Sequence, residues 1–586
     1  MSDITARLIG DNPASIPPGV LVSFDCETTG LDWSDFIIGA SLSWRDLENH
    51  LQSCYLVFEA IQPVVQMSIF GIGLETINSL HLLEGLFKNN HLVFHSISFD
   101  YRFLFKDLGL APPTYAFDIS PLAKNLEYQP ALSLVELYRR YVKRPIPEHI
   151  LKTKSNRGGL HKQDIETQAI YARWDAEATL LVGEKLLGMS QLMLETELVR
   201  HDAQFTNLVL KMIARGLPVD CAELTRRHIL YEERLAYLVK ELAETYKLSN
   251  VGSTAQVSDF LFSKQGLNPT RLTASGKGAV GAEDLEPYVK KHPAVPLIIE
   301  HRQLTKVIGT WLKPLEILSA GDNRAHCQLN PFGTLSFRMS CKNINLQAMP
   351  MKERGERAFD SLHGIFKSEN PDEQLWSLDL KQAEVRLGAM LAPDPALARV
   401  FSSGSDPYKA MSKEIWGTED RRQEAKQATL AAIYEIGPAS FSIRYKVSED
   451  YAIKVLDDFR ARFPGIKRAS NWWKENVEQK GFVKLYTGRY RWFGEDEVPW
   501  KGFNQVLQGG VAEIMSAIML EVEKVLPDRQ LLQIHDNIIL YLPKDEQARS
   551  EMVKTVEDIA LNILPVDVMD HVKPRVPLLL DAEIWE

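Results

Sequence analysis

The first section of the chain, to about residue 187, alternates short apolar runs such as VLVSFDCE and HLVFHS with longer helical patterns such as QAIYARWDAEATLLVGEKLL. Short apolar runs bounded by polar turns predict strands, and apolar positions recurring every three or four residues predict helices, so this section reads as an α/β domain. From about 190 to 318 the pattern becomes long and helical, as in DAQFTNLVLKMIARG and AELTRRHILYEERLAYLVKELAETY. The Gly-, Ser-, Thr- and Lys-rich stretch TASGKGAVGAED interrupts it and predicts a mobile tip. Beyond 319 strands and helices mix again, and the last apolar run is VPLLLD. No internal repeat or low-complexity segment breaks this order.

Two strand-like runs of the last section end in an aspartate: SLDLKQAEVR at Asp379 and LLQIHDNIIL at Asp536. A carboxylate at the tip of a buried strand is costly unless it binds a metal, so the pair makes two-metal phosphoryl transfer plausible. Apolar runs flanking His535, Asp536 and Asn537 predict a β-hairpin with Asp536 at its turn; taken alone, a plain hairpin with a polar turn is the simpler reading. In the first section Asp25 and Glu27 lie two apart at a strand end and share a face. Asp100 falls near the start of a helix, and Tyr171 and Asp175, at i and i+4, share a helical face. Singly these are a surface D-x-E, a first-turn acid and a core tyrosine; together they could converge on a shared metal. RRQEAKQATLAAIY predicts a helix with Arg422 and Lys426 one turn apart, which suits either a solvated face or a triphosphate.

Composition narrows the setting. A chain of 586 residues predicts several domains, and 45% hydrophobic content is that of a soluble globular protein. No run long enough to span a bilayer appears and the N-terminus lacks a signal-peptide pattern, so the expectation is a cytoplasmic protein without a membrane partner. Cys26, Cys54, Cys221, Cys327 and Cys341 form no C-x-x-C pair, which argues against a disulfide framework and against zinc. The net charge of -10 argues against a nonspecific polycation but leaves nucleic acid open, because binding depends on where cations cluster.

The ordered set Asp25, Glu27, Asp100, Tyr171 and Asp175 resembles the DEDD superfamily of 3′-to-5′ exonucleases, in the subgroup whose final aspartate is preceded by a tyrosine. The resemblance implies a ribonuclease H-like domain over 1–187 in which the four acids hold two divalent metals and Tyr171 helps orient the water. Ser96 stands where that family usually has asparagine. From 331 onward the motifs resemble family A DNA polymerases of Klenow-like or phage-like type. PFGTLSFRMSCKNINLQAMP would bring Arg338, Asn345 and Gln347 to the primer-template, with Phe337 at the family's glycine. After Asp379 come Gln382 and Glu384, the latter implied as a steric gate against a ribose 2′-OH. The helix at 422 resembles the fingers helix, with Arg422 and Lys426 on the triphosphate, Leu430 at the family's aromatic position and Tyr434 beneath the templating pair. Glu435 and Ile436 read as a short insertion, and Tyr408 replaces a triphosphate-contacting histidine. Arg489, Arg491, Asn504 and Gln508, with His535 beside Asp536, are implied DNA contacts, and Asn537 replaces the family's glutamate.

The implied architecture is α/β and α+β multidomain: the exonuclease domain over 1–187, then a right-hand polymerase over 188–586. Its thumb would span about 196–318, its palm 319–405 and 499–586, and its fingers 406–498, with no 5′-nuclease domain expected ahead of it. The implied function is template-directed DNA synthesis with proofreading, using two Mg²⁺ per active site with Mn²⁺ as the alternative. Implied partners are primer-template DNA and deoxynucleoside triphosphates, besides an unidentified helicase or processivity factor. A single-subunit RNA polymerase is the nearest rival, opposed by Glu384 and the exonuclease set. A DNA-binding scaffold, or an exonuclease with impaired synthesis, is the reading that Asn537, Leu430 and Ser96 motivate.

Overall fold

The computed structural model describes residues 5–58, 76–129, 131–155, 157–193, 196–350, 359, 361–392, 394–402, 406–485, 487–564 and 576–585. The chain divides into two compact units, one of 1–215 with 328–342 and 376–584, the other of 216–327 with 343–375 and the last two residues.

The first unit contains a seven-stranded sheet in which Leu21–Thr28 is the pivot. On one side it pairs antiparallel with Ile37–Arg45, which continues antiparallel to Leu51–Phe58, Thr5–Gly10 and Thr76–Asn78. On the other side His91–Phe94 and Tyr115–Asp118 extend it in parallel. Parallel neighbours need a crossover, which the helix Ile97–Leu108 supplies. The strand Ile37–Arg45 is buried at all but its last position, as expected when a sheet is covered on both faces. The long helix Ile165–Met193 packs against it, and Ser23 Oγ donates to Ala176 O at 2.7 Å to pin the helix to the central strand.

The same unit contains a four-stranded sheet in the order Gln530–Ile534, Asn537–Pro543, Glu373–Leu380, Leu580–Ile584. The first two strands form the expected hairpin, closed by Ile534 opposite Asn537. His535 and Asp536 make its two-residue turn, and His535 takes φ +57°, the positive φ that such tight hairpin turns require. The helix Gly502–Val525, most of whose residues are buried, belongs to the same unit.

Thr196–Arg215, placed by the sequence at the start of the thumb, is a helix of this first unit. Its polar groups explain that: Asn207 Nδ2 donates to Pro113 O, and Arg215 donates to Asp528 Oδ1 at 2.6 Å. His201 meets Ser516 Oγ at 3.2 Å.

The second unit is mainly helical. Cys221–Tyr246, N-capped by Asp220 accepting from Glu223 N, packs against Ala294–Val307. Leu242, Val257, Phe260, Leu285 and Ile298 fill its core. The predicted tip is an exposed loop closed by Thr273 N donating to Lys277 O at 2.7 Å.

Candidate active site

Strand alternation puts Asp25 and Glu27 on one face of Leu21–Thr28, and the helix Ile165–Met193 presents Asp175 to them. One oxygen from each of the three lies within 4.8 Å of the others. Asp100, in the first turn of Ile97–Leu108, joins from a third element: its Oδ1 accepts from Cys26 N at 3.1 Å. Asp100 and Asp175 are each only 1% exposed, so the carboxylates from the two helices are poorly solvated. The field is felt nearby. Burial, then the charges of Asp100, Asp25 and Glu27, pushes the Cys26 thiol far above its ordinary value. Burial and the same strand's acids do likewise to the Tyr55 hydroxyl.

Tyr171 lies one turn before Asp175 and is buried in a cluster with Ile150 and Leu160. Ser96 precedes the Asp100 helix with φ +75° and makes no side-chain cap. Asparagine tolerates that left-handed geometry better than serine. Asp118 compensates by accepting from Ile97 N at 3.0 Å. The all-oxygen set of Asp25, Glu27 and Asp175 fits a hard divalent cation.

The second carboxylate site is built on the four-stranded sheet. Asp379 is the penultimate residue of Glu373–Leu380, and Leu380 N donates to Asp536 O at 3.1 Å, which places both aspartates at the same sheet end. Burial raises the Asp536 carboxyl above the ordinary range; Arg338 acts against this and Glu384 adds to it. Glu384, in the first turn of Ala383–Leu391, accepts from two donors: Arg338 Nη2 on one oxygen and the Tyr434 hydroxyl on the other. Burial and then Glu384 push the Tyr434 hydroxyl well up. Gln382 precedes that helix with φ +50°, its Oε1 accepting from Arg386 Nη2 at 3.4 Å.

Tyr434 ends the helix Arg422–Ile433, so the residue closing this helix reaches Glu384. Arg422 sits in its first turn with Nε donating to Asp406 Oδ2 at 2.8 Å, and Lys426 is exposed one turn on. Leu430 is half-buried. Tyr408 is buried beside Arg422, and burial pushes its hydroxyl up to about 12. Glu435 takes φ +52°, and its carboxylate accepts from Lys467 at 3.0 Å and from the Ser470 hydroxyl.

Two of the expected DNA contacts are arginines that pair with protein acceptors in this structure. Arg489 is 1% exposed, and its guanidinium donates to Asp202 Oδ2 at 3.0 Å and Asn125 Oδ1 at 3.1 Å, with Glu513 Oε1 at 3.3 Å. Arg491 is also buried, donating to Glu497 and Gln505. Both guanidinium groups face internal acceptors. Asn504 and Gln508 are half-buried, one turn apart at the start of Gly502–Val525, and His535 is exposed on the hairpin turn. Asn345 and Gln347 flank or lie in the turn Leu346–Ala348 of the second unit, Asn345 exposed and Gln347 half-buried. Sequence reasoning missed Asp406, Asp202 and Lys124, whose partners lie far along the chain and follow no spacing rule.

Residues 221–584 match the family described as DNA polymerase family A, and residues 12–191 match that described as 3′-5′ exonuclease. DNA polymerase I of Chloroflexus aurantiacus is 27% identical over 487 residues, covering 77% of this chain and 50% of that protein. DNA polymerase I of Geobacillus stearothermophilus is 25% identical over 498 residues, covering 79% and 54%. The chain thus spans about half the length of the curated relatives it matches. A solved structure, the POL domain of Pol1 from M. smegmatis in complex with DNA primer-template and dNTP, shares the fold, with a TM-score of 0.75 at 19% identity over 97% of this chain and 96% of that one. Among the described residues no helix is long and apolar enough to cross a membrane.

Proposed function

The chain belongs to DNA polymerase family A, and from that premise we propose that it extends a primer 3′-OH with deoxynucleotides on a DNA template and edits the product with its own 3′-to-5′ exonuclease. The observation that carries this reading is the gate beside the strand-end aspartates: Glu384 is held by Arg338 and Tyr434 close to Asp536. A carboxylate fixed by two donors makes a rigid wall, and a rigid wall can reject a 2′-hydroxyl that a mobile side chain would let pass.

Arg422 and Lys426 bind the triphosphate, and the incoming phosphate takes Arg422 from Asp406. Tyr434, Leu430, Gln382 and Tyr408 line the nucleotide site, while Arg338, Asn345, Gln347, Asn504, Gln508 and His535 meet the DNA. In the editing site Tyr171 orients the attacking water. Polymerase and exonuclease domains of this family are metal-dependent. Asp379 and Asp536 at one site, and Asp25, Glu27, Asp100 and Asp175 at the other, would hold two Mg²⁺ each, Mn²⁺ being the alternative; the ions supply Lewis-acid stabilisation of phosphoryl transfer. Primer-template DNA and deoxynucleoside triphosphates are the substrates, in the cytoplasm of a bacterium or a phage-infected cell.

The test is primer extension and 3′ degradation on paired and mismatched ends with Mg²⁺. Asp379→Ala or Asp536→Ala should lower extension by ~10³-fold or more and leave single-strand degradation intact. Asp25→Ala with Glu27→Ala should do the reverse. Extension that survives loss of either strand-end aspartate removes the synthesis assignment, and unchanged degradation in the double variant moves the nuclease site elsewhere.

A further inference from the structure

Phe337 stands where the family resemblance places a glycine, and it takes φ +60°, a left-handed conformation that disfavours a side chain. The Phe337 ring is 4% exposed and lies between two cations, Arg489 at 4.7 Å and Lys124 at 5.4 Å from its centroid. Lys124 comes from the helix Ile119–Leu126, inside the exonuclease match. Its Nζ donates to Phe332 O and, at 3.2 Å, to Thr334 O. Thr334 in turn closes the loop that follows: its Oγ1 accepts from Arg338 N at 2.9 Å, and its amide donates to Arg338 O at 3.2 Å. Arg338 then grips Glu384. The Lys124 helix is itself anchored, since Trp492 Nε1 donates to Asn125 O at 3.1 Å. A continuous chain of contacts therefore runs from the exonuclease helix to the gate of the synthesis site.

We propose that Lys124 of the exonuclease domain is a positioning residue for the polymerase site, setting Arg338 against Glu384 through the Thr334–Arg338 turn and thereby sharpening the choice of deoxynucleotide over ribonucleotide. This role rests on the synthesis reading above. It assigns the exonuclease domain a part in nucleotide selection before incorporation, distinct from removal of misincorporated ends afterwards. A loop with an inherently strained residue has no reason to hold one geometry unless neighbours over-determine it, and Lys124 and Arg489 are those neighbours.

The experiment measures kcat/KM for a deoxynucleotide and its ribonucleotide on one primer-template, using the full chain. Lys124→Met should lower the deoxy-to-ribo ratio by ~10-fold while single-strand degradation at the Asp25 site stays unchanged. Thr334→Val, which removes the hydroxyl but no charge, should shift the ratio the same way. In an Arg338→Met background Lys124→Met should have no further effect, because the link it acts through is gone. An unchanged ratio in Thr334→Val and Lys124→Met, or an undiminished Lys124→Met effect without Arg338, overturns the role. Should Lys124→Met lose its melting transition and its nuclease together, Thr334→Val with and without Arg338→Met decides. A parental chain that extends no primer removes the synthesis reading and this role with it; normal extension with unaltered discrimination removes this role alone.

Discussion

Glu384 has two donors and one negative charge, and the proposed gate rests on the balance between them. Arg338 neutralises it while Tyr434 fixes the second oxygen, so truncation removes both the wall and its two supports. Glu384→Ala should therefore raise ribonucleotide incorporation by ~10²-fold, read from the same kcat/KM ratio; an unaltered ratio would assign the gate to another side chain. Phe337 invites the opposite kind of change. Glycine there would relieve a left-handed penalty of roughly 1–2 kcal/mol, but it would also empty the space of a buried ring, a loss of roughly 3–5 kcal/mol. The lost packing outweighs the relieved strain, and Phe337→Gly should destabilise the protein by about 2 kcal/mol in denaturant unfolding. Both residues were singled out by motif position alone. Their pairings were not, because nothing at Phe337 in the sequence tells that Lys124 lies over its ring.

Within single elements the sequence was legible. Asp25 and Glu27 share a face because a strand alternates, and Tyr171 and Asp175 follow one another because a helix turns every 3.6 residues. The hairpin that carries Asp536 was equally readable from two apolar runs around a polar pair. Convergence of the Asp25, Glu27 and Asp175 carboxylates is an electrostatic cost that a cation relieves. Added Mg²⁺ should therefore raise the melting temperature of the parent, and chelation should reverse it. The increment should shrink in Asp25→Ala with Glu27→Ala; an equal increment in that variant would place the stabilising ion elsewhere. Burial of an element was less legible than its type. The resemblance implies Arg489 and Arg491 as DNA contacts, and both point to internal acceptors.

At the scale of the whole molecule, Arg489 joins three distant segments: Asn125 of the exonuclease helix, Asp202 of Thr196–Arg215 and Glu513 of Gly502–Val525. One guanidinium cannot fully neutralise two buried carboxylates. Asp202, with two hydrogen bonds to Arg489, stays below its ordinary value against the cost of burial, whereas burial outweighs Arg489 at Glu513 and pushes it up to about 7 from 4.5. The folded chain thus holds a proton over that interval that the unfolded chain releases. Stability from Glu513 is fully present below 4.5 and is lost as the pH rises through about 7. Glu513→Gln stays neutral throughout, so its stability relative to the parent should rise by up to about 3 kcal/mol between roughly pH 5 and roughly pH 8. A flat difference across that range would show that Glu513 does not titrate there. The sequence by itself determined the order of strands and helices, the acids at their ends and the family they belong to. Periodicity and motif spacing record which face of an element is apolar and which residues share it. Only the tertiary structure decided that Thr196–Arg215 belongs to the first unit, that Arg489 is an internal tie, and that Lys124 meets the Thr334 carbonyl. Those outcomes depend on which distant segment covers a face and shares its low-dielectric interior, and contacts of that kind leave no local pattern along the chain.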